Sequence, residues 1–194
     1  RKPGSQKPWS VCVDGRGRGL SHVSTPTLSG RKLFTWGTGR GGKRWMDFLS
    51  QTGKGDYLEM QGGVTPTQLQ TRPLEAGASI EWTECFSPFV MDKKAAQATD
   101  YRAACAAAGK IIDERVPAIA LQQMHEFLSA HADTPVRTVL HRGAAWGWLH
   151  EKRTGKKLSP GLAFACEPGE EERPWAELLT AGTFSTDALG RPPR

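Results

Sequence analysis

The sequence predicts an α+β chain, with antiparallel strands in residues 1–91 and a helical region in residues 92–194, and three observations carry that division. Twelve of the 22 glycines fall between Gly15 and Gly63 and separate short apolar or aromatic runs, the punctuation of strands and turns. From Asp92 onward the apolar spacing changes to threes and fours, the period of a helix with one buried face. Hydrophobic residues at 38%, charged residues at 24% and seven Trp supply a core and exclude a chain too polar to fold.

The strand runs are Trp9 to Val13, Lys32 to Trp36, Tyr57 to Gln61 and Ile80 to Phe86. In the last, Ile80, Trp82 and Cys85 to Phe86 nearly alternate with Glu81, Thr83 and Glu84, as a strand with one wet face does, and Pro73-Leu74-Glu75-Ala76-Gly77 forms a turn into it. The spacing of Tyr101, Ala104, Cys105, Ala108, Ile111 and Ile112 predicts a helix from Lys94 to Arg115. Pro117 opens a second, through Leu121, Met124, Phe127 and Leu128 to about His131, where Asp133-Thr134-Pro135 supplies a stop. A third helix follows over Ala144 to Glu151 and a short fourth over Pro174 to Thr180. No fixed period recurs, but helical hairpins of this size open repeat arrays.

No run of 18 apolar residues exists, which excludes a membrane-spanning helix. Cys12, Cys85, Cys105 and Cys166 stand far apart, unlike zinc-site pairs or disulfide ladders, and are expected to be free thiols in a reducing, cytoplasmic setting. The net charge of +6 is unevenly placed: residues 1–54 hold eleven Lys and Arg against Asp14 and Asp47, a local balance of +9. Such a basic head suits phosphate, nucleic acid or an acidic surface. Its cations are scattered among glycines, not ordered on a reading helix, so nucleic acid is not the expected partner.

Gly37-Thr38-Gly39-Arg40-Gly41-Gly42 satisfies the dinucleotide fingerprint, but the run before it, Lys-Leu-Phe-Thr-Trp, is not a buried parallel strand and no further strand-helix-strand unit follows. Gly37, Gly42 and Lys43 also approach a phosphate loop, with Arg44 where the magnesium-binding hydroxyl belongs. These glycines are expected to permit a tight loop carrying Arg40, Lys43, Arg44 and Trp45, before a helix over Lys43 to Leu49. The five histidines, His22, His125, His131, His141 and His150, make no metal pattern, and no Gly-x-Ser-x-Gly elbow exists. No metal and no cofactor are expected.

Asp56-Tyr57-Leu58-Glu59-Met60-Gln61-Gly62-Gly63 is the most informative segment. In an alternating strand Tyr57, Glu59 and Gln61 share one face, while Leu58 and Met60 share the face expected to meet the core. A carboxylate between a phenol and an amide, with Trp36 and Trp45 nearby in sequence, has the composition of a sugar cleft.

The block from Leu58 to Phe89 carries Leu-Glu-Met-Gln-Gly-Gly, then Thr-Arg-Pro-Leu-Glu-Ala-Gly-Ala and Ile-Glu-Trp-Thr-Glu, and resembles the closing strands of the galactose mutarotase (aldose 1-epimerase) family. With His22, Thr25-Pro26, Gly30 to Gly37, Trp45, Trp146-Gly147 and Pro174-Trp175, the whole resembles an uncharacterised bacterial family that joins a mutarotase-like β-sandwich to tetratricopeptide-type helices. The resemblance implies that residues 1–91 are the C-terminal strands of such a supersandwich and residues 92–194 the first helices. Because a full supersandwich needs more strands, the remainder of the polypeptide or a companion chain would complete it. It implies a carbohydrate ligand handled at its anomeric centre, as in a glycosidase or an epimerase, with Glu59 as general base or catalytic carboxylate. Trp36 and Trp45 would stack on the sugar, and His22, Lys32 and Gln61 would bond its hydroxyls. The alternative is a noncatalytic module whose strands bind a glycan and whose helices dock a protein.

Overall fold

A computed structural model describes residues 4–50, 53 and 55–184. The chain is α+β and divides into two compact units, Arg1–Ser129 and Ala130–Arg194. The first holds β1 (Trp9–Val13), β2 (Arg18–Ser24), β3 (Gly30–Thr35), α1 (Arg40–Leu49), β4 (Leu58–Gly63), β5 (Glu84–Val90), α2 (Lys93–Ala96), α3 (Tyr101–Arg115) and most of α4 (Ala118–His131). Two antiparallel sheets form, one in the order β1-β2-β5 and one pairing β3 with β4.

The central strand β2 falls where the sequence signals only turns. Its hairpin with β1 is set by Asp14, whose Oδ1 accepts the backbone N–H groups of Arg16 at 2.8 Å and Arg18 at 3.0 Å. Its buried hydroxyls are satisfied: Ser21 Oγ meets Ser87 Oγ at 2.8 Å, and Ser24 Oγ donates to the Leu28 carbonyl at 3.0 Å. The strand expected over Ile80 to Phe86 begins later, at Glu84, because Thr83 is engaged elsewhere. Its N–H donates to Thr25 Oγ1 and its carbonyl accepts from the Thr25 N–H, both at 3.0 Å. Pro88 is tolerated in β5 because among the described residues that strand pairs only with β2.

One face of β1-β2-β5 is sealed by helices. Val23 and Phe89 are fully buried there, with Trp9, Val11, Val13 and Cys85 beside them, against Ala108 and Ile112 of α3 and Leu121 of α4. Each large side chain so buried contributes about 1.5–3 kcal/mol. Lys7 pins the segment before β1 to this layer, its Nζ 2.7 Å from the Val116 carbonyl at the C-terminal end of α3 and 2.6 Å from Asp113 Oδ1. Strands give way to helices near residue 91, but the compact unit continues to Ser129, since α3 and α4 supply half of its core. The single helix expected over Lys94 to Arg115 is two. Asp92 caps α2 through the Ala95 N–H at 2.9 Å, and Asp100 caps α3 through the Arg102 N–H at 2.8 Å.

The other face of β1-β2-β5 meets β3 and β4. Arg31 ties the two sheets together, donating from Nη1 to the Leu28 and Gly30 carbonyls at 2.7 and 2.8 Å, and from Nη2 to the Pro8 carbonyl at 3.0 Å and to Ser24 Oγ. Farther along, the sheets leave an open cleft of about 610 Å³, with Leu20 and Phe86 on one wall and Leu58 and Met60 on the other. The Leu58/Met60 face therefore lines a gap, not a sealed core, and Leu58 stays 41% exposed.

In the second unit, α5 (Ala145–Thr154) and α6 (Arg173–Ala181) are the regular elements. Phe164 packs on Gly143 and Gly147, a Gly143–Phe164 bridge fixes that loop, and Trp146 and Trp175 meet at 5.7 Å between ring centroids. No helix among the described residues is long and apolar enough to cross a membrane.

Candidate functional site

Alternation along β3 puts Lys32 and Phe34 on one face, and the antiparallel register sets Gln61 and Glu59 of β4 directly opposite them. Tyr57 and Trp36 continue the same parity just beyond the paired residues. Five groups of different chemistry thus share one surface around the Glu59 carboxylate.

A chain of hydrogen bonds fixes them. Lys32 Nζ donates to Gln68 Oε1 at 2.6 Å, Gln68 Nε2 donates to Gln61 Oε1 at 3.0 Å, and Gln61 Nε2 donates to Glu59 Oε2. Tyr57 Oη donates to Glu59 Oε1 at 2.9 Å. The direction of this chain follows from its ends: an ammonium only donates and an ionised carboxylate only accepts, so each amide between them has one orientation that satisfies both neighbours. The bond to Glu59 raises the Tyr57 phenol above its ordinary pKa and keeps it a donor. Each Glu59 oxygen keeps further acceptor capacity for a ligand hydroxyl.

An aromatic strip runs on from this carboxylate. Phe34, opposite Glu59 and under the Lys32 ammonium at 5.0 Å, meets Trp36 edge-on at 5.1 Å. Trp36 stacks on Trp45 of α1 at 5.2 Å and 18°, and Trp45 meets Phe48 edge-on at 5.7 Å. Trp45 is 50% and Phe48 77% exposed. The glycines before Trp45 do not form the expected loop carrying cations: α1 begins at Arg40 and runs through both Gly41 and Gly42. A Cβ at Gly42 would overlap the Trp36 carbonyl oxygen, so this turn of helix reaches β3 only because residue 42 lacks a side chain.

Glu59, Gln61, Lys32, Trp36 and Trp45 are brought together as the sequence reading expects, and His22 is not among them. It lies on β2, 1% exposed, stacked on Phe86 at 4.5 Å, and its Cε1 sits 2.7 Å from where a Gly62 Cβ would stand. Residue 62 faces the side of β4 opposite Gln61, so His22 is behind the sheet that displays Glu59 and cannot bond a sugar there. Its Nε2 approaches Glu84 Oε2 at 2.8 Å without hydrogen-bond alignment. Burial, and then the Arg31 charge, lower its pKa more than Glu84 raises it. Glu84 also accepts from Trp82 Nε1 at 2.8 Å and stands on the His22 side. The sequence reading missed Gln68, Phe34 and Phe48. Phe34 could have been found from its parity with Lys32 and Trp36, whereas nothing local marks Gln68.

Among the described residues no group of three His, Cys, Asp or Glu could hold a metal ion, and all four cysteines are free. Residues 7–98 match the model of a family described as a domain of unknown function (DUF5107), a span that takes in both sheets, α1 and every residue of the Glu59 surface. No curated protein and no solved structure matches the chain.

Proposed function

We propose that the chain binds a carbohydrate against the Glu59 face, its two sheets being the C-terminal part of a mutarotase-like β-sandwich whose missing strands come from the rest of the polypeptide or a companion chain. The supporting observation is the half-buried Glu59 carboxylate, oriented by Tyr57 and Gln61 and continuous with the exposed rings of Trp36 and Trp45. Acceptors fixed beside an apolar ring surface suit a pyranose, whose hydroxyls donate while its C–H face covers an indole. The open cleft lined by Leu20, Leu58 and Phe86 supports the missing strands, and four free thiols accord with a cytoplasmic setting.

Catalysis at the anomeric carbon, by a glycosidase or an epimerase, needs a proton donor facing the Glu59 base across the acetal. His22 and Glu84 are both behind the sheet. Neither can be that donor, so the groups on this face support binding, with Glu59 as general base the second reading should the missing strands bring a donor.

Calorimetric titration with monosaccharides and short oligosaccharides tests the proposal. Glu59→Gln and Trp36→Ala are each expected to weaken binding by about tenfold, the loss of one charge-assisted bond or one stacking surface. Sugar affinity unchanged in both variants would sink it. Turnover by the wild type that Glu59→Gln abolishes would promote the catalytic reading.

A further inference from the structure

The outward face of α1 is cationic as well as aromatic. Gly41, Arg44, Trp45 and Phe48 recur at helical spacing and line a depression of about 380 Å³. Arg40, Lys43 and Arg44 are exposed, and none makes an ion pair among the described residues, although Asp47 lies one turn from Lys43. By contrast Lys32 is committed to Gln68. Arg44 lines that depression and Arg40 stands one helical turn before it, within the first 54 residues, whose charge balance is +9, whereas Lys43, two residues before Trp45, is on another side of the helix.

A neutral sugar would take only hydrogen bonds from these cations. An anionic one gains more, because a guanidinium pairs with a carboxylate through two parallel bonds while its aromatic neighbour covers the ring. We infer that the ligand of the Glu59 face is an acidic glycan, a uronate-bearing oligosaccharide whose carboxylates meet Arg44 and, one helical turn before it, Arg40. Glu59 would repel an acid group placed directly on it, so the charged residue of the glycan lies over α1 and the hydroxyl-bonding residue over β4. This inference rests on the carbohydrate reading and adds the class of sugar.

The test compares oligouronides with their methyl esters, which keep the chain and remove the charge, on the wild type, Arg40→Gln/Arg44→Gln and Glu59→Gln. Both cations are on the surface, and circular dichroism checks that the double variant keeps its helices. The expected result is about tenfold tighter binding of the acid than of the ester. The double variant should erase that gap and leave ester binding unchanged, and added salt should narrow it. Equal binding of acid and ester, still weakened by Glu59→Gln, would overturn the acidic preference and keep the sugar site. No binding of either would overturn both. Acid binding that survives Trp45→Ala at full strength would mean adsorption to the basic head and also overturn it. So would binding to phosphatidylserine vesicles, lost in the double variant, without any oligouronide binding.

Discussion

The two faces of the β1-β2-β5 sheet are covered in different ways. Toward α3 and α4, Phe89, Val23 and Ile112 leave at most 1% of their surface to solvent. Toward β3 and β4, Phe86 is 58% and Leu20 41% exposed across an open cleft. The first face holds the unit together. The second positions a small sheet whose far side carries the polar and aromatic groups suited to a ligand. The packed core and the proposed binding face thus lie on opposite sides of the two sheets.

Truncation on the two faces should differ more than any other pair of changes. Phe89→Ala removes a ring enclosed by the core and is expected to cost about 3–5 kcal/mol in urea unfolding. Leu58→Ala, on the open side, should cost less than about 1 kcal/mol. A comparable loss at both positions would mean that the cleft is closed in solution, which further strands would do.

The join between β3 and α1 gives a finer contrast. Gly41→Ala meets no atom within 4 Å and replaces glycine in a helix, so it should stabilise by up to about 1 kcal/mol. Gly42→Ala drives a methyl into the Trp36 carbonyl and should cost about 1–3 kcal/mol. It should also perturb the near-ultraviolet dichroism of the Trp36–Trp45 stack. Identical effects at the two neighbours would break the argument that Gly42 sets the approach of α1 to β3.

What could be read from the sequence follows the same division. Strands β1 and β4 show their alternation because apolar residues mark one side, β3 shows only as a short apolar and aromatic run, and Glu59, Gln61, Lys32 and Trp36 come together because register and parity are local properties. Strand β2 was hidden: Arg18-Gly19-Leu20-Ser21-His22 has the composition of a turn, and its serines can be buried only once β5 and the Leu28 carbonyl satisfy them. Misplacing His22 follows directly, since which side of the sheets it joins depends on β2 being a strand. In α1, Gly41 and Gly42 argue against helix by propensity, and the tertiary approach to Trp36 overrides that. Gln68 reaches Gln61 from the loop after β4, a closure no periodicity announces.

His22 probes where the open side stops being open, and its effect is the smallest. It is almost wholly buried between the sheets although its ring partner Phe86 is largely exposed. Burial lowers its pKa, the Arg31 charge lowers it further, and Glu84 opposes both. The unfolded chain, with imidazole near its ordinary value of about 6.5, takes up a proton first as pH falls. The stabilisation from neutral His22 is therefore complete above pH ~7 and is lost as pH falls through ~6.5 toward the lower folded value, at no more than about 1.4 kcal/mol per pH unit. Urea midpoints measured from pH 7.5 to 5.5 should fall more steeply in the wild type than in His22→Gln, which removes the titrating group. Parallel pH profiles would mean that solvent reaches His22, and that the two sheets part there as well as at Leu58.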